Sequence, residues 1–256
     1  MIKSVQKATK LLTLLADSYE KPLTLAKLAE NSGMNKSTCS HIINTLTNEG
    51  FAVRISATKG YVLGPAAYCL SKYGRYKDDL VTICRPILQY LYKKLGFCVL
   101  LAVIEGSEKY IIDYIDDGSI FSGKMKIMDD SIYRTATGRA IMTNMSDEKV
   151  FDIYKKHGNP SQDEWEDVTS LHDLFIKLSM IDKNKVVKNC TKTGDCKIFN
   201  IGYGSAIFDK KECVGAIGIA VRINSDEEKS FAETEKLIIK YLQRGAEEIS
   251  RRISYR

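Results

Sequence analysis

The sequence predicts an α+β protein built from two modules, on three observations. The excess positive charge is confined to the first third of the chain, apolar residues of that third recur in steps of three and four, and later apolar runs of strand length alternate with helical ones. The chain has 256 residues, 44% of them apolar, which suits one large domain or two smaller ones with packed cores. Residues 1–76 hold ten Lys or Arg against four acids, an excess that equals the whole chain's net charge of +6. The remaining residues balance at 28 bases and 28 acids. Charge placed this way suggests a polyanion-binding module joined to a neutral one, with a merely solvated basic face as the alternative.

In the first module, assigned to residues 1–64, Val5, Ala8, Leu12 and Leu15 mark one face of an amphipathic helix over Ser4 to Asp17. Thr24 caps a second short helix through Ala29, and Ser32-Gly33 turns the chain into a third whose first turn contains Lys36 and Ser37. Two helices joined by about four residues with a glycine form a helix-turn-helix. At 100° per residue, Cys39, Ile42, Ile43 and Leu46 share one face of the third helix, and Ser37, His41, Asn44 and Asn48 the opposite one. That outer face has almost no charge and is built of short hydrogen-bonding side chains, the kind that reach base edges. The helix start, with Lys36, Ser37 and Thr38, suits a backbone phosphate. In "FAVRISATKGYVLG", Phe51, Val53 and Ile55 alternate, "ATKG" turns, and Tyr61 and Leu63 return, so a β-hairpin with Arg54 and Lys59 near its tip forms a wing.

"GPAAYCLSKYGRY" opens with residues suited to a helix start and predicts a connecting helix over 65–77. The second module, 78–256, begins with the helical pattern "DDLVTICRPILQYLYKKLG". "FCVLLAVIEG" and "KYIIDYIDDG" read as a strand pair, and "RTATGRAIMTNM" as a turn entering a helix. Residues 147–183 read as mostly helical around Gly158-Asn159-Pro160, "IGYGSAIFD" and "CVGAIGIAVR" as two further strands, and 226–254 as a closing helix. Strands in antiparallel sequence, with helices at both ends, give a sheet flanked by helices.

Several function classes find no support. "NSGMNKST" ends like a P-loop, but the required glycine positions hold Glu30 and Asn35, and a helical rather than strand pattern precedes it. His41, His157 and His172 lie in separate segments without a zinc-binding spacing, and no Gly-x-Ser-x-Gly occurs. No enzyme activity, metal or cofactor is expected. The N-terminus lacks a secretory apolar core and no run of 18 apolar residues appears, so a cytoplasmic chain without a membrane partner and with reduced cysteines is expected.

"SVQKATKLL", "LAKLAENSGMNKSTCSHIINTLTNEGF" and "GYVLGP", in that order, resemble the corresponding blocks of IclR-type (isocitrate lyase regulator) bacterial transcription factors. The resemblance implies a sequence-specific regulator that binds double-stranded, pseudo-palindromic DNA as a homo-oligomer joined through its N-terminal region. Lys36, Ser37, Thr38, Ser40, His41 and Asn44 match the family's recognition-helix positions, with Arg54 and Lys59 on the wing. It further implies a GAF-like effector domain binding a small-molecule metabolite. Its turn motif matches Thr135, Ala136, Thr137, Gly138, Arg139 and Ala140, and its acidic position falls at Asp195. A family cysteine is replaced by Gly202, and two serines by Gly218 and Ala220. With Phe121, these positions are expected to line an enlarged pocket, open either to a small carboxylate or to a bulkier, more apolar ligand. A ligand-sensing domain with a basic protein-interaction module is the alternative.

Overall fold

The computed structural model describes residues 2–18, 21–56, 58–72, 77–116, 131–193, 198–227 and 230–255. The chain divides into two compact units, the first ending at Asp78 and the second beginning at Asp79.

The first unit contains α1 (Lys3–Asp17), α2 (Leu25–Ser32), α3 (Lys36–Asn48), β1 (Ala52–Ser56), β2 (Gly60–Leu63) and α4 (Pro65–Lys72). Its core joins Leu11 and Leu15 of α1, Leu28 of α2, and Cys39, Ile43 and Leu46 of α3, with Leu23, Ala52 and Tyr61. The buried face of α1 is therefore rotated from the expected one. Leu11 is fully buried while Val5 is 57% exposed, because Ala8, Leu11 and Leu15 form the stripe that meets the other helices. Thr24 caps α2 by accepting the Lys27 N–H. The turn after α2 begins one residue later than expected. Ser32 is the buried last residue of the helix, and Gly33, at φ +68°, donates to the Glu30 carbonyl while Met34 reaches back to Ala29.

Strands β1 and β2 pair antiparallel, and Leu23 adds a third short rung by exchanging two backbone hydrogen bonds with Tyr61, at 2.9 and 2.8 Å. Gly60 makes that rung possible. It holds φ +100°, and a Cβ there would stand 2.2 Å from the Leu23 carbonyl oxygen. Gly60→Ala is expected to detach Leu23 from the wing and destabilise the first unit by about 1–3 kcal/mol, measured by denaturant unfolding of the full chain.

The second unit contains α5 (Asp78–Leu95), β3 (Cys98–Glu105), β4 (Glu108–Ile115), α6 (Ala136–Met142), α7 (Asp147–His157), α8 (Leu171–Ser179), β5 (Val187–Thr193), β6 (Ile198–Asp209), β7 (Glu212–Asn224) and α9 (Ala232–Ser254). Among the described residues the strands form one antiparallel sheet in the order β4-β3-β7-β6-β5. Strand β5 is absent from the sequence reading, because "VKNCTKT" lies at the sheet edge and offers one apolar residue, Val187, to the interior. The helical stretch expected over 147–183 is two helices. Gly158 ends α7, and Ser170 caps α8 by accepting the Asp173 N–H.

The two sheet faces differ in side-chain size. On one, Val99, Leu101, Tyr203, Ile217 and Ile219 pack against Leu88 and Leu91 of α5 and Ile238, Leu242 and Ile249 of α9. On the other, the cross-strand pairs Gly202 with Ala220, Gly204 with Gly218 and Ala206 with Ala216 make a floor of small residues. Helix α6 lies directly on it through Ala136 and Thr137.

Candidate nucleic-acid interface and effector region

Helix α3 starts at Asn35, whose side chain accepts the Thr38 N–H at 2.8 Å. This cap occupies the third amide of the helix start and leaves those of Lys36 and Ser37 without an acceptor among the described residues. The anion site expected at Lys36, Ser37 and Thr38 is thereby narrowed to the first two amides, the Lys36 ammonium and the hydroxyls. Cys39, Ile43 and Leu46 point into the core, whereas Lys36, Ser37, His41 and Asn44 are exposed and Thr38 and Ser40 are half-buried. Thr45, exposed beside them, donates its hydroxyl to the His41 carbonyl.

On the wing, the Ser56 hydroxyl accepts the Lys59 N–H at 2.9 Å and fixes the turn that presents Lys59. Arg54 is not at the tip. It sits within β1 opposite Tyr61, two residues before the strand's end, with its guanidinium 5.8 Å from that ring's centroid. Of the alternating residues, Val53 and Ile55 are exposed, and Ala52 between Phe51 and Val53 is buried.

In the second unit, Thr135 caps α6 by accepting the Gly138 N–H at 3.2 Å. The same oxygen accepts from the Lys109 ammonium at 3.0 Å, and Lys109 is only 2% exposed. Sequence reasoning missed Lys109, since a lysine in an edge strand reads as solvent-facing. Gly138 is required here, because a Cβ would lie 2.1 Å from the Ile132 carbonyl oxygen. Arg139 fastens the turn to the segment after α7. It donates to the Tyr133 and Glu164 carbonyls at 2.7 and 2.6 Å and stacks 4.2 Å from the Trp165 ring centroid, and burial pushes its pKa down to about 10.

The glycines expected to enlarge a pocket do not leave space. At Gly218 a Cβ would come within 2.5 Å of Thr137 Cγ2, and at Gly202 within 2.3 Å of Asn189 Oδ1. These positions let α6 and Asn189 approach the sheet, so their small size serves packing. Asn189, also missed, donates to the Arg134 carbonyl. Ala220 lies beside Gly202 in the ladder, Ala136 and Thr137 are buried against this floor, and Phe121 and Asp195 lie outside the described residues.

A three-helix module with a basic start to its third helix, a polar outer face on that helix and a hairpin wing defines the class of winged helix-turn-helix DNA-binding proteins. Residues 4–56 match the IclR helix-turn-helix domain model. The chain is similar to the transcriptional repressor IclR of Escherichia coli K12, at 24% identity over 165 residues. That match spans 61% of this chain and 58% of the relative, so the chain aligns over somewhat more than half of the relative's length. In structure it resembles an IclR transcriptional regulator from Alicyclobacillus acidocaldarius, with a TM-score of 0.72 at 17% identity and 99% of each chain covered. It also resembles an IclR homologue from Microbacterium hydrocarbonoxydans in complex with 4-hydroxybenzoate, with a TM-score of 0.70 at 11% identity, covering 99% of this chain and all of that one. Residues 4–56 thus carry a helix-turn-helix domain of the IclR type. Among the described residues no helix is long and apolar enough to cross a membrane.

Proposed function

We propose that the chain is a cytoplasmic regulator that binds a pseudo-palindromic operator through α3 and the wing as a homo-oligomer. Residues 1–64 serve as the DNA-binding module, 65–77 as connector and 78–256 as effector module. The observation that carries the reading is the exposed Ser37, His41 and Asn44 on one face of α3, with Lys36 at its start. Short amide and imidazole groups on such a face can address base edges in the major groove, while Lys36 and Lys59 address phosphates. Oligomerisation is supported by apolar side chains of the first unit that its own core leaves exposed, Ile2 just before α1, Val5 on it, and Tyr68 and Leu70 on α4.

The test separates base readers from phosphate binders. Asn44→Ala and His41→Ala are each expected to cost about 1–3 kcal/mol on the preferred operator and little on unrelated DNA. Lys36→Ala is expected to weaken every sequence alike. Unchanged discrimination in both Asn44→Ala and His41→Ala would remove α3's outer face as the reading surface.

The effector reading draws on the 4-hydroxybenzoate held by one structural neighbour and on the buried Lys109–Thr135 contact at the start of α6. A small metabolite with a polar end is proposed to bind beside this turn and to shift the chain between operator-competent and incompetent states. Operator release titrated with candidate organic acids tests this; a ligand that binds here without altering operator affinity rules out modulation.

A further inference from the structure

On the sheet face opposite α6, helices α5 and α9 border a half-open cavity of about 340 Å³. Its apolar wall comes from Ile87, Leu91 and Gly245, and its flanks from Tyr90 and Tyr241, whose rings meet edge to face at 6.4 Å. Gly245 lets α9 pack closely on α5 at the cavity's floor, where a Cβ would press within 3.1 Å of Leu91 Cδ1. The charge around it is unequal. Glu248 is engaged by Arg252 at 2.7 Å and Arg251 at 2.8 Å, and those two arginines hold its carboxyl below the usual range. Arg244 lies one turn before Glu248 on the same helix and lines the cavity without an ion-pair partner among the described residues.

We propose that this cavity binds a small organic anion made of one apolar ring and one carboxylate. The ring lies beside the Tyr90–Tyr241 pair on the Ile87 and Leu91 surface, where it escapes water. The carboxylate meets the Arg244 guanidinium, whose planar fork matches two carboxylate oxygens. A cavity of this size falls within the range that encloses small ligands. The acid of the pair, Glu248, is already neutralised, so it does not repel the incoming anion. This site is separate from the α6 turn and stands or falls independently of the effector reading.

Benzoate titrated calorimetrically into the full chain is the probe, with benzamide as its neutral counterpart. Saturable binding of benzoate is expected, weakened at least about tenfold by Arg244→Gln and to a similar degree by replacing the carboxylate with the amide. Lys236→Gln, a matched charge loss on the same helix at a residue that lies outside the cavity and pairs with Glu233, is expected to leave binding unchanged. Soaked 4-bromobenzoate should place its bromine signal in the cavity beside Tyr90 and Tyr241. Absence of saturable binding, equal affinity in Arg244→Gln and the parent chain, or a bromine signal beside α6 would each overturn the proposal. So would a Tyr90→Asp chain that changes its subunit number by sedimentation, which would make the cavity a contact between copies.

Discussion

Gly204→Ala is expected to destabilise the second unit by about 3 kcal/mol or more, the upper end of the overpacking range. A Cβ at Gly204 would stand 2.5, 2.6 and 2.7 Å from the carbonyl carbon and oxygen of Ala136 and the amide of Thr137. These are backbone atoms of α6, so the whole helix must lift from β6 and β7 to admit the methyl group. Gly218→Ala meets mainly the Thr137 Cγ2 methyl, a side-chain end that can turn, and is expected to cost about 1 kcal/mol. Trp165 reports the difference, since it stacks on Arg139 of α6. Denaturant unfolding followed by its fluorescence should rank Gly204→Ala well below Gly218→Ala in stability; equal midpoints would mean that α6 does not rest on the floor as described.

Raising the salt concentration from 50 to 200 mM is expected to lower operator affinity about a thousandfold, as for a dimer that neutralises roughly six phosphates. The first 76 residues carry the chain's entire excess of six positive charges, and Lys36 and Lys59 stand exposed at the α3 start and the wing turn. Neutralising phosphates with these groups releases condensed counterions, which makes log K fall linearly with log salt. Lys36→Ala should reduce the slope by about one for each bound subunit. Filter binding or fluorescence anisotropy across four salt concentrations measures it. A flat dependence would mean that the basic third of the chain does not contact the backbone.

Much of the first unit is legible residue by residue because its signals are local. Thr24 and Gly33 bracket α2 through hydrogen bonds within one turn, and the apolar positions of α3 fall on the side that is buried. The rotation of α1 was not legible. Val5, Leu11, Leu12 and Leu15 are all apolar, and only the positions of α2 and α3 decide which stripe they cover. The exposure of Val53 and Ile55 has a similar cause, since alternation along a strand does not say which of its two faces meets the core.

In the second unit the sequence by itself determined the strand pairs β3–β4 and β6–β7, whose partners are neighbours in the chain, and the turn into α6; the resemblance to IclR-type regulators is borne out in the first unit, where the family model matches. Only the tertiary structure decided what the glycines do. A missing side chain in a sequence is a vacancy that either solvent, a ligand or another part of the chain can fill, and composition does not distinguish them. At Gly202, Gly204 and Gly218 the chain itself fills it, with Asn189, the α6 backbone and Thr137. The edge strand β5, the burial of Lys109 and the cavity between α5 and α9 are likewise products of long-range packing, each set by residues far apart in sequence whose approach no local pattern records.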